Sequence, residues 1–290
     1  MRVLLTGAEG AIGRAVLAAL VAAGHRVLAL TGRGGATAAL AGAGARPVTG
    51  ELAEAGEWLP GLDPDGVIHL ADPRSRAMAA ADAAFVEALI AHAPGARVVR
   101  AGSLWLYGMP SRRHPRTIRE GDRLDPPVEM RWMAAAMARL KQAGMHACIV
   151  HPAMVWQEDG DHGVLGPWIA AARAGEAPEI HGAPPPSWPM IHLDDLADLF
   201  VEAVGHGTPG AVYHGVAEPA VSTLAMASAI ARALDAPEPV VTDIGSACRR
   251  FGAWARCLGW SQRMTAEATR EALSWAPRRP GVLETIARAA

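Results

Sequence analysis

Three glycines, Gly7, Gly10 and Gly13, stand three residues apart directly after the first apolar run of the chain. Residues 2–5 predict a strand, and the Ala- and Leu-rich residues 13–23 predict a helix. Such a turn lets a pyrophosphate approach the backbone closely, and the helix N-terminus offers it unpaired N–H groups. We therefore predict that the pyrophosphate of a dinucleotide binds to Gly7, Gly10, Ala11, Ile12 and Gly13.

Strand and helix patterns alternate through the rest of the first half. Strands are predicted at residues 26–30, 46–48, 66–70, 96–100 and 146–150, and helices at residues 77–91 and 130–142. Short β-branched runs separated by helices indicate βαβ crossovers and a parallel sheet that is covered on both faces. The sequence therefore predicts an α/β chain with a doubly wound parallel sheet of the Rossmann type.

The second half of the chain begins with a segment rich in glycine and proline. Glycines and prolines, including Pro184-Pro185-Pro186, predict irregular structure across residues 156–189. Further helices are predicted at residues 194–204, 222–234 (with Ser222 as N-cap) and 265–289 (with a proline break), and a strand at 211–216. We expect a dinucleotide-binding domain at residues 1–155, to which residues 190–216 return, and a smaller C-terminal substrate lobe at residues 156–290.

The end of the second strand predicts the form of the dinucleotide. In Rossmann-type folds a carboxylate there binds the 2′-hydroxyl of NAD, and an arginine accommodates the 2′-phosphate of NADP. The chain reads Thr31-Gly32-Arg33 at this point, with no acidic residue. Arg33 therefore predicts NADP; in the alternative, the cofactor is NAD and Arg33 is a solvated loop side chain.

The composition of the chain limits the kinds of binding partner that we expect. The chain has 290 residues, 51% of them hydrophobic and 19% charged, with a formal net charge of -2. This balance suits a protein with a sizeable core and gives no electrostatic reason to expect nucleic acid or a membrane as partner. Cys148, Cys248 and Cys257 form no close pair, and we find neither a signal peptide nor a transmembrane stretch. We therefore expect a cytoplasmic protein with free thiols.

Several further segments carry a resemblance. They are Thr49-Gly50-Glu51-Leu52, Val67-Ile68-His69-Leu70-Ala71, Ser103-Leu104-Trp105-Leu106-Tyr107-Gly108, His151-Pro152-Ala153-Met154-Val155-Trp156 and Ile191-His192-Leu193-Asp194-Asp195. By the order and spacing of these segments, the chain resembles the extended short-chain dehydrogenase/reductase family, the NAD-dependent epimerase/dehydratase group. The resemblance runs from residue 2 to about residue 286. The resemblance implies that Ser103 is an active-site residue. It also implies cofactor contacts for Glu51, Leu52, Leu70, Ala71, Pro152 and Val155.

The catalytic pair of that family is missing. The family places a tyrosine and a lysine four residues apart on one helix, so that both lie on one face. The chain has two tyrosines, and Lys141 is its only lysine, with Met137 four residues before it. The resemblance aligns Met130 and Ala134 with the pair. Glu129 and Arg131 flank Met130, but on a helix their side chains point away from the face that the family's tyrosine and lysine would occupy.

Two departures from the family's pattern argue against a sugar nucleotide as substrate. Leu104 and Trp105 stand where the dehydratases carry an acidic pair, and residues 186–190 lack the arginine that clamps a diphosphate. Instead, segments that the resemblance puts beside the cleft carry Trp105, Met130, Trp132, Trp156 and Trp188. These residues predict an apolar or aromatic small molecule, with ordinary core packing as the alternative.

Two classes of function are consistent with these residues. In the first, the chain is an NAD(P)-linked reductase or epimerase-like enzyme in which Ser103 orients the substrate oxygen and Tyr107 or water supplies the proton. In the second, it is a non-redox isomerase or lyase, or an inactive binding protein of the same fold. His114, His162 and His181 match no ligand set, so no metal is expected. A homodimer is expected.

Overall fold

The computed structural model describes residues 1–71, 77–109, 117–158 and 163–289. The strands are β1 (Arg2–Thr6), β2 (Arg26–Thr31), β3 (Arg46–Thr49), β4 (Gly66–His69), β5 (Arg97–Ala101), β6 (Thr117–Ile118), β7 (Ala147–Pro152), β8 (Met154–Trp156), β9 (Glu179–His181), β10 (Ser187–His192), β11 (Val212–Gly215), β12 (Glu218–Ser222), β13 (Val240–Thr242) and β14 (Arg263–Met264). The helices are α1 (Ala11–Ala22), α2 (Thr37–Gly42), α3 (Ala55–Trp58), α4 (Met78–His92), α5 (Arg131–Gln142), α6 (Gly166–Arg173), α7 (Leu193–His206), α8 (Thr223–Ala233), α9 (Ile244–Phe251), α10 (Glu267–Leu273) and α11 (Val282–Ala289).

The predicted doubly wound parallel sheet is confirmed. Seven strands lie in the order β11-β7-β5-β4-β1-β2-β3, and every neighbouring pair is parallel. The order reverses at β1, which lies between β2 and β4. In open α/β sheets, ligands bind in the crevice outside the carboxyl ends of the strands at such a reversal. The loop that follows β1 carries Gly7 and Gly10, and Gly13 lies in the first turn of α1.

The second half contains more regular structure than the sequence predicts. Helix α6 begins with Pro167 in its first turn and buries Trp168, Ile169 and Ala172, so a proline that suggested a loop starts a helix instead. Helix α9 has Asp243 as its N-cap, whose carboxylate accepts a hydrogen bond from the Ser246 N–H at 3.1 Å. The predicted N-cap is confirmed, since the Ser222 hydroxyl accepts from the Ala225 N–H.

Residues 190–216 bridge the sheet and the C-terminal half. Helix α7 packs on α1, and β11 closes the edge of the sheet beside β7. Strand β10 instead pairs with β8 and β12 in a separate three-stranded sheet. Among the helices of the described ranges, none combines the length and the apolar character that crossing a membrane requires.

Candidate functional site

The glycine loop has an open anion-facing turn and a tightly packed base. Gly7 has a φ of 70°, a conformation that favours glycine, and it lies against the backbone of Leu70 and Ala71. A Cβ on Gly13 would lie 1.9 Å from the Gly7 carbonyl oxygen. A Cβ on Gly10 would lie 3.4 Å from that oxygen and, among the described residues, would have no other close contact. Gly13 is therefore needed for packing, and the space above Gly10 is left clear at the N-cap of α1.

A buried polar network lies beneath this loop. The imidazole of His69 lies between the Thr6 hydroxyl, 2.6 Å from Nδ1, and the Asp82 carboxylate, 2.8 Å from Nε2. Arg100 donates to the same Asp82 oxygen at 2.6 Å, and all four residues are at most 3% exposed. Burial alone would raise the pKa of the Asp82 carboxyl, but the hydrogen bond from His69 and the charge of Arg100 hold it below its usual value.

The adenosine side of the crevice carries one carboxylate that sequence reasoning missed. Glu9 belongs to the glycine loop, yet its Oε1 accepts a hydrogen bond from the hydroxyl of Thr31 at the end of β2. Arg33 lies two residues further on, is 70% exposed and forms an ion pair with Glu54 at 2.6 Å. The Arg33 N–H donates to Glu51 Oε1 at 3.3 Å. A carboxylate therefore reaches the strand end from another element.

The remaining predicted cofactor residues lie at the same edge of the sheet. Leu70 and Ala71 follow β4 directly, and the Ala71 N–H donates to the Thr6 hydroxyl at 3.3 Å. Pro152 ends β7, and Val155 lies in the middle of β8, half-buried. Leu52 begins a short turn after β3 and is half-buried.

Ser103 and Tyr107 face different surroundings. Ser103 is half-buried, and its hydroxyl oxygen accepts the Trp105 N–H at 3.2 Å as the N-cap of the 3₁₀ turn Leu104–Tyr107. The Tyr107 hydroxyl donates to His214 Nε2 at 2.6 Å, because His214 Nδ1–H is directed to the Thr265 carbonyl. Burial raises the pKa of Tyr107, which is 6% exposed. Both facts argue against the predicted role of Tyr107 as proton donor.

His151 lies directly behind Ser103. It is completely buried, and its Nδ1 accepts the Ser103 N–H at 3.2 Å. Burial, together with the neighbouring His214, lowers the pKa of His151 to about 3, so the ring is neutral at physiological pH. His151 therefore orients the backbone of Ser103 without supplying a positive charge.

The positions of the missing catalytic pair lie at the start of α5. Met130 is the N-cap of this helix, and Ala134 lies one turn further on; both are half-buried. Glu129, just before Met130, forms a two-point ion pair with Arg256, with distances of 2.8 and 2.7 Å. The C-terminal half of the chain is thus held against the helix that would carry the pair.

The predicted substrate tryptophans are packed rather than open. Trp105, Trp156 and Trp188 are at most 6% exposed. Trp105 contacts Trp260 edge-on with ring centroids 6.0 Å apart, and Trp188 stacks on Trp168 at 6.0 Å. Trp132 is half-buried on α5. Among described residues, the indole N–H groups of Trp156 and Trp188 find no hydrogen-bond partner.

Two of the three histidines considered as metal ligands lie outside the described residues. His114 and His162 lie outside the described residues, and so do residues 159–161 beside His162. His181 lies on β9 and contacts the Thr242 hydroxyl at 2.9 Å. Within the ranges that the structure covers, no group of three or more histidine, cysteine or acidic side chains could hold an ion.

The parallel sheet, its reversal at β1 and the glycine turn define an α/β protein of the Rossmann class. The model of the NAD dependent epimerase/dehydratase family matches residues 3–214, and the chain belongs to this family.

Two curated relatives and two solved structures are similar along their whole length. Uncharacterized proteins of Schizosaccharomyces pombe and Saccharomyces cerevisiae are each 27% identical, over 99% of this chain and 98% of theirs. A dTDP-glucose 4,6-dehydratase from Bacillus anthracis, in complex with NAD, superposes with a TM-score of 0.80 at 16% identity, over 99% of this chain and 95% of that one. A nucleoside-diphosphate-sugar epimerase from Pseudomonas aeruginosa gives a TM-score of 0.78 at 22% identity, over 100% and 96%. At these identities the structures establish the shared fold.

Proposed function

We propose that this chain is a dinucleotide-binding oxidoreductase of the epimerase/dehydratase type that acts on an apolar or aromatic small molecule. The observation that carries the proposal is the turn at Gly10, where the backbone leaves open the space that a pyrophosphate would enter. The backbone N–H groups at the start of α1 supply the complementary partial positive charge.

The residues around the crevice fit the cofactor part by part. Gly7, Gly10, Ala11, Ile12 and Gly13 would hold the pyrophosphate, Leu52 and Glu51 would border the adenine, and Leu70, Ala71, Pro152 and Val155 would border the rest of the dinucleotide. When bound, a nicotinamide supplies hydride transfer. For the ribose, the exposed Arg33 predicts NADP, whereas the carboxylate of Glu9 favours NAD.

The chain's own part in the reaction centres on Ser103. Its hydroxyl oxygen already accepts the Trp105 N–H, so its proton is directed toward another acceptor, and we assign it to a substrate oxygen. Tyr107 is committed to His214, so water is the proton source in this proposal. General acid catalysis is typically worth about 10²- to 10⁴-fold, and turnover is expected to be slower by a factor of that order.

The substrate class rests on the tryptophan segments. Residues 186–190 contain no arginine for a diphosphate, although the solved relatives include enzymes named for sugar nucleotides. Trp132 and Met130 are partly exposed beside the start of α5, and an aromatic ligand would pack against their side chains. Trp105, Trp156 and Trp188 are buried and are not assigned a contact with the ligand.

A second candidate is favoured by the vacated catalytic positions. Met130 and Ala134 can neither donate a proton nor hold a charge, which suits a non-redox isomerase or lyase, or an inactive binding protein that keeps the dinucleotide. We further propose a cytoplasmic homodimer. The two-domain division at residues 155 and 156, with residues 190–216 returning, remains a prediction.

The two candidates are distinguished by turnover on a defined panel. The protein is loaded with NADH or NADPH and mixed with ketones, imines and enones that carry aromatic groups, and the absorbance of the reduced nicotinamide is followed. Oxidation that requires Ser103 supports the reductase proposal. Tight dinucleotide binding without oxidation by any compound supports the second candidate, and absence of dinucleotide binding would refute both.

A further inference from the structure

We propose that Glu9, in the glycine loop, makes this chain select NAD over NADP. The inference rests on the proposed dinucleotide binding and adds the identity of the residue that determines the ribose form. It reverses the prediction of NADP from Arg33. The residues that end β2 include no acidic side chain, but the folded chain brings the Glu9 carboxylate to that position.

The sheet register explains how Glu9 reaches this place. β1 and β2 are parallel neighbours with Leu5 opposite Ala29, so the loop after β1 lies beside the last residues of β2. The Thr31 side chain is buried, and its hydroxyl donates to Glu9 Oε1. A Cβ on Gly35 would lie 2.7 Å from the same oxygen, so the backbone after β2 curves around the carboxylate.

The chemistry of this carboxylate favours a hydroxyl over a phosphate. An ionised carboxylate has about four acceptor positions, and the bond from Thr31 uses one. A ribose 2′-hydroxyl can therefore donate to Glu9, as it does to the acidic residue at the end of the second strand in NAD-binding folds. A 2′-phosphate carries only acceptors at neutral pH and would meet like charge at Glu9.

Other charges at this corner do not remove that repulsion. Glu51 and Glu54 add two more carboxylates, and both contact Arg33, one through its backbone and one through its guanidinium. Arg14 donates to the Glu9 carbonyl oxygen at 2.5 Å, so a second guanidinium is present. Among the described residues, these three carboxylates outnumber the two guanidinium groups, so their summed charge is negative. Arg33 would have to leave Glu54 to clamp a phosphate.

The test measures dissociation constants for NAD and NADP on the full chain by calorimetry, with no turnover required. The variants are Glu9→Gln, which keeps the shape and removes the charge, and Arg33→Ala. Glu57→Gln, an exposed position on α3, is the matched control for the loss of one negative charge. We expect wild type to bind NAD at least about tenfold more tightly than NADP, because one close like-charge interaction is worth about that factor.

In Glu9→Gln the NAD-to-NADP affinity ratio is expected to fall by about tenfold, with the two binding constants converging. In Arg33→Ala and Glu57→Gln the ratio should stay within about twofold of wild type. An NADP preference in wild type, or a ratio that Glu9→Gln leaves unchanged, would overturn the inference and leave the proposed function intact. Failure of both dinucleotides to bind would overturn the proposed function as well.

Discussion

Gly10, the N-cap of α1, and Gly13, in its first turn, are predicted to have opposite effects when each is changed to alanine. Gly10→Ala places a methyl group in ordinary van der Waals contact with the Gly7 carbonyl oxygen, at 3.4 Å, and should leave folding intact while it weakens dinucleotide binding. Gly13→Ala places a methyl group 1.9 Å from the Gly7 carbonyl oxygen and should destabilise the fold itself. The contrast separates a glycine that a ligand needs from one that packing needs.

The structure sets the size of each effect. At Gly10 the φ of -71° suits alanine, and alanine reduces the conformational entropy of the unfolded chain, which stabilises the fold by about 0.4–1 kcal/mol. This gain roughly offsets the stability lost because alanine is a poorer N-cap than glycine. At Gly13 overpacking against backbone should cost about 3 kcal/mol or more, which lowers Tm by about 6 °C or more. Loss of one charge-assisted hydrogen bond to a phosphate, about 1.5–3 kcal/mol, weakens binding by about 10- to 100-fold.

The assay combines thermal unfolding with nicotinamide titration. Gly56→Ala is the matched control because its methyl group would meet no described atom within 4 Å. We expect Gly10→Ala to keep its Tm within about 2 °C of wild type and to bind NAD and NADP about 10- to 100-fold more weakly. Wild-type affinity in Gly10→Ala would refute the placement of the pyrophosphate at this turn. An unchanged Tm in Gly13→Ala would refute the packing argument.

Three further predictions address the rest of the site. Met130→Tyr combined with Ala134→Lys should raise the rate of ketone reduction by about 10²- to 10⁴-fold, more than the two single changes together. A wild-type rate of about 10 per second would contradict the conclusion that this chain lacks the catalytic groups for ketone reduction. Trp188→Ala should cost about 3–5 kcal/mol in denaturant unfolding because its ring is buried, whereas Trp132→Ala should cost less and weaken the binding of aromatic ligands. Asp82→Ala should cost about 3–5 kcal/mol, since it leaves a buried guanidinium unpaired. Because the pKa of Asp82 is depressed in the folded protein, its contribution is present above about pH 4 and is lost as the pH falls further; pH-dependent unfolding of wild type and Asp82→Ala should converge there.

The features that the sequence determined are those set by neighbouring residues. Glycines three apart between a strand and a helix are a local pattern, because the turn, the missing Cβ atoms and the helix N-terminus all lie within a few residues. The alternation of strands and helices likewise predicted the parallel sheet, and the spacing of tyrosines and lysine already excluded the family's catalytic pair.

The features that only the tertiary structure decided join residues far apart in the chain. The Tyr107 hydroxyl contacts His214, 107 positions away in the chain, and this contact argues against Tyr107 as the proton donor, one of the two sources proposed from the sequence. The Glu9 carboxylate meets Thr31 across 22 positions, at a strand end whose own sequence carries no acid. Hydrogen bonds depend on distances of about 3 Å, and the register of the sheet, rather than residue spacing, sets such distances between separate elements.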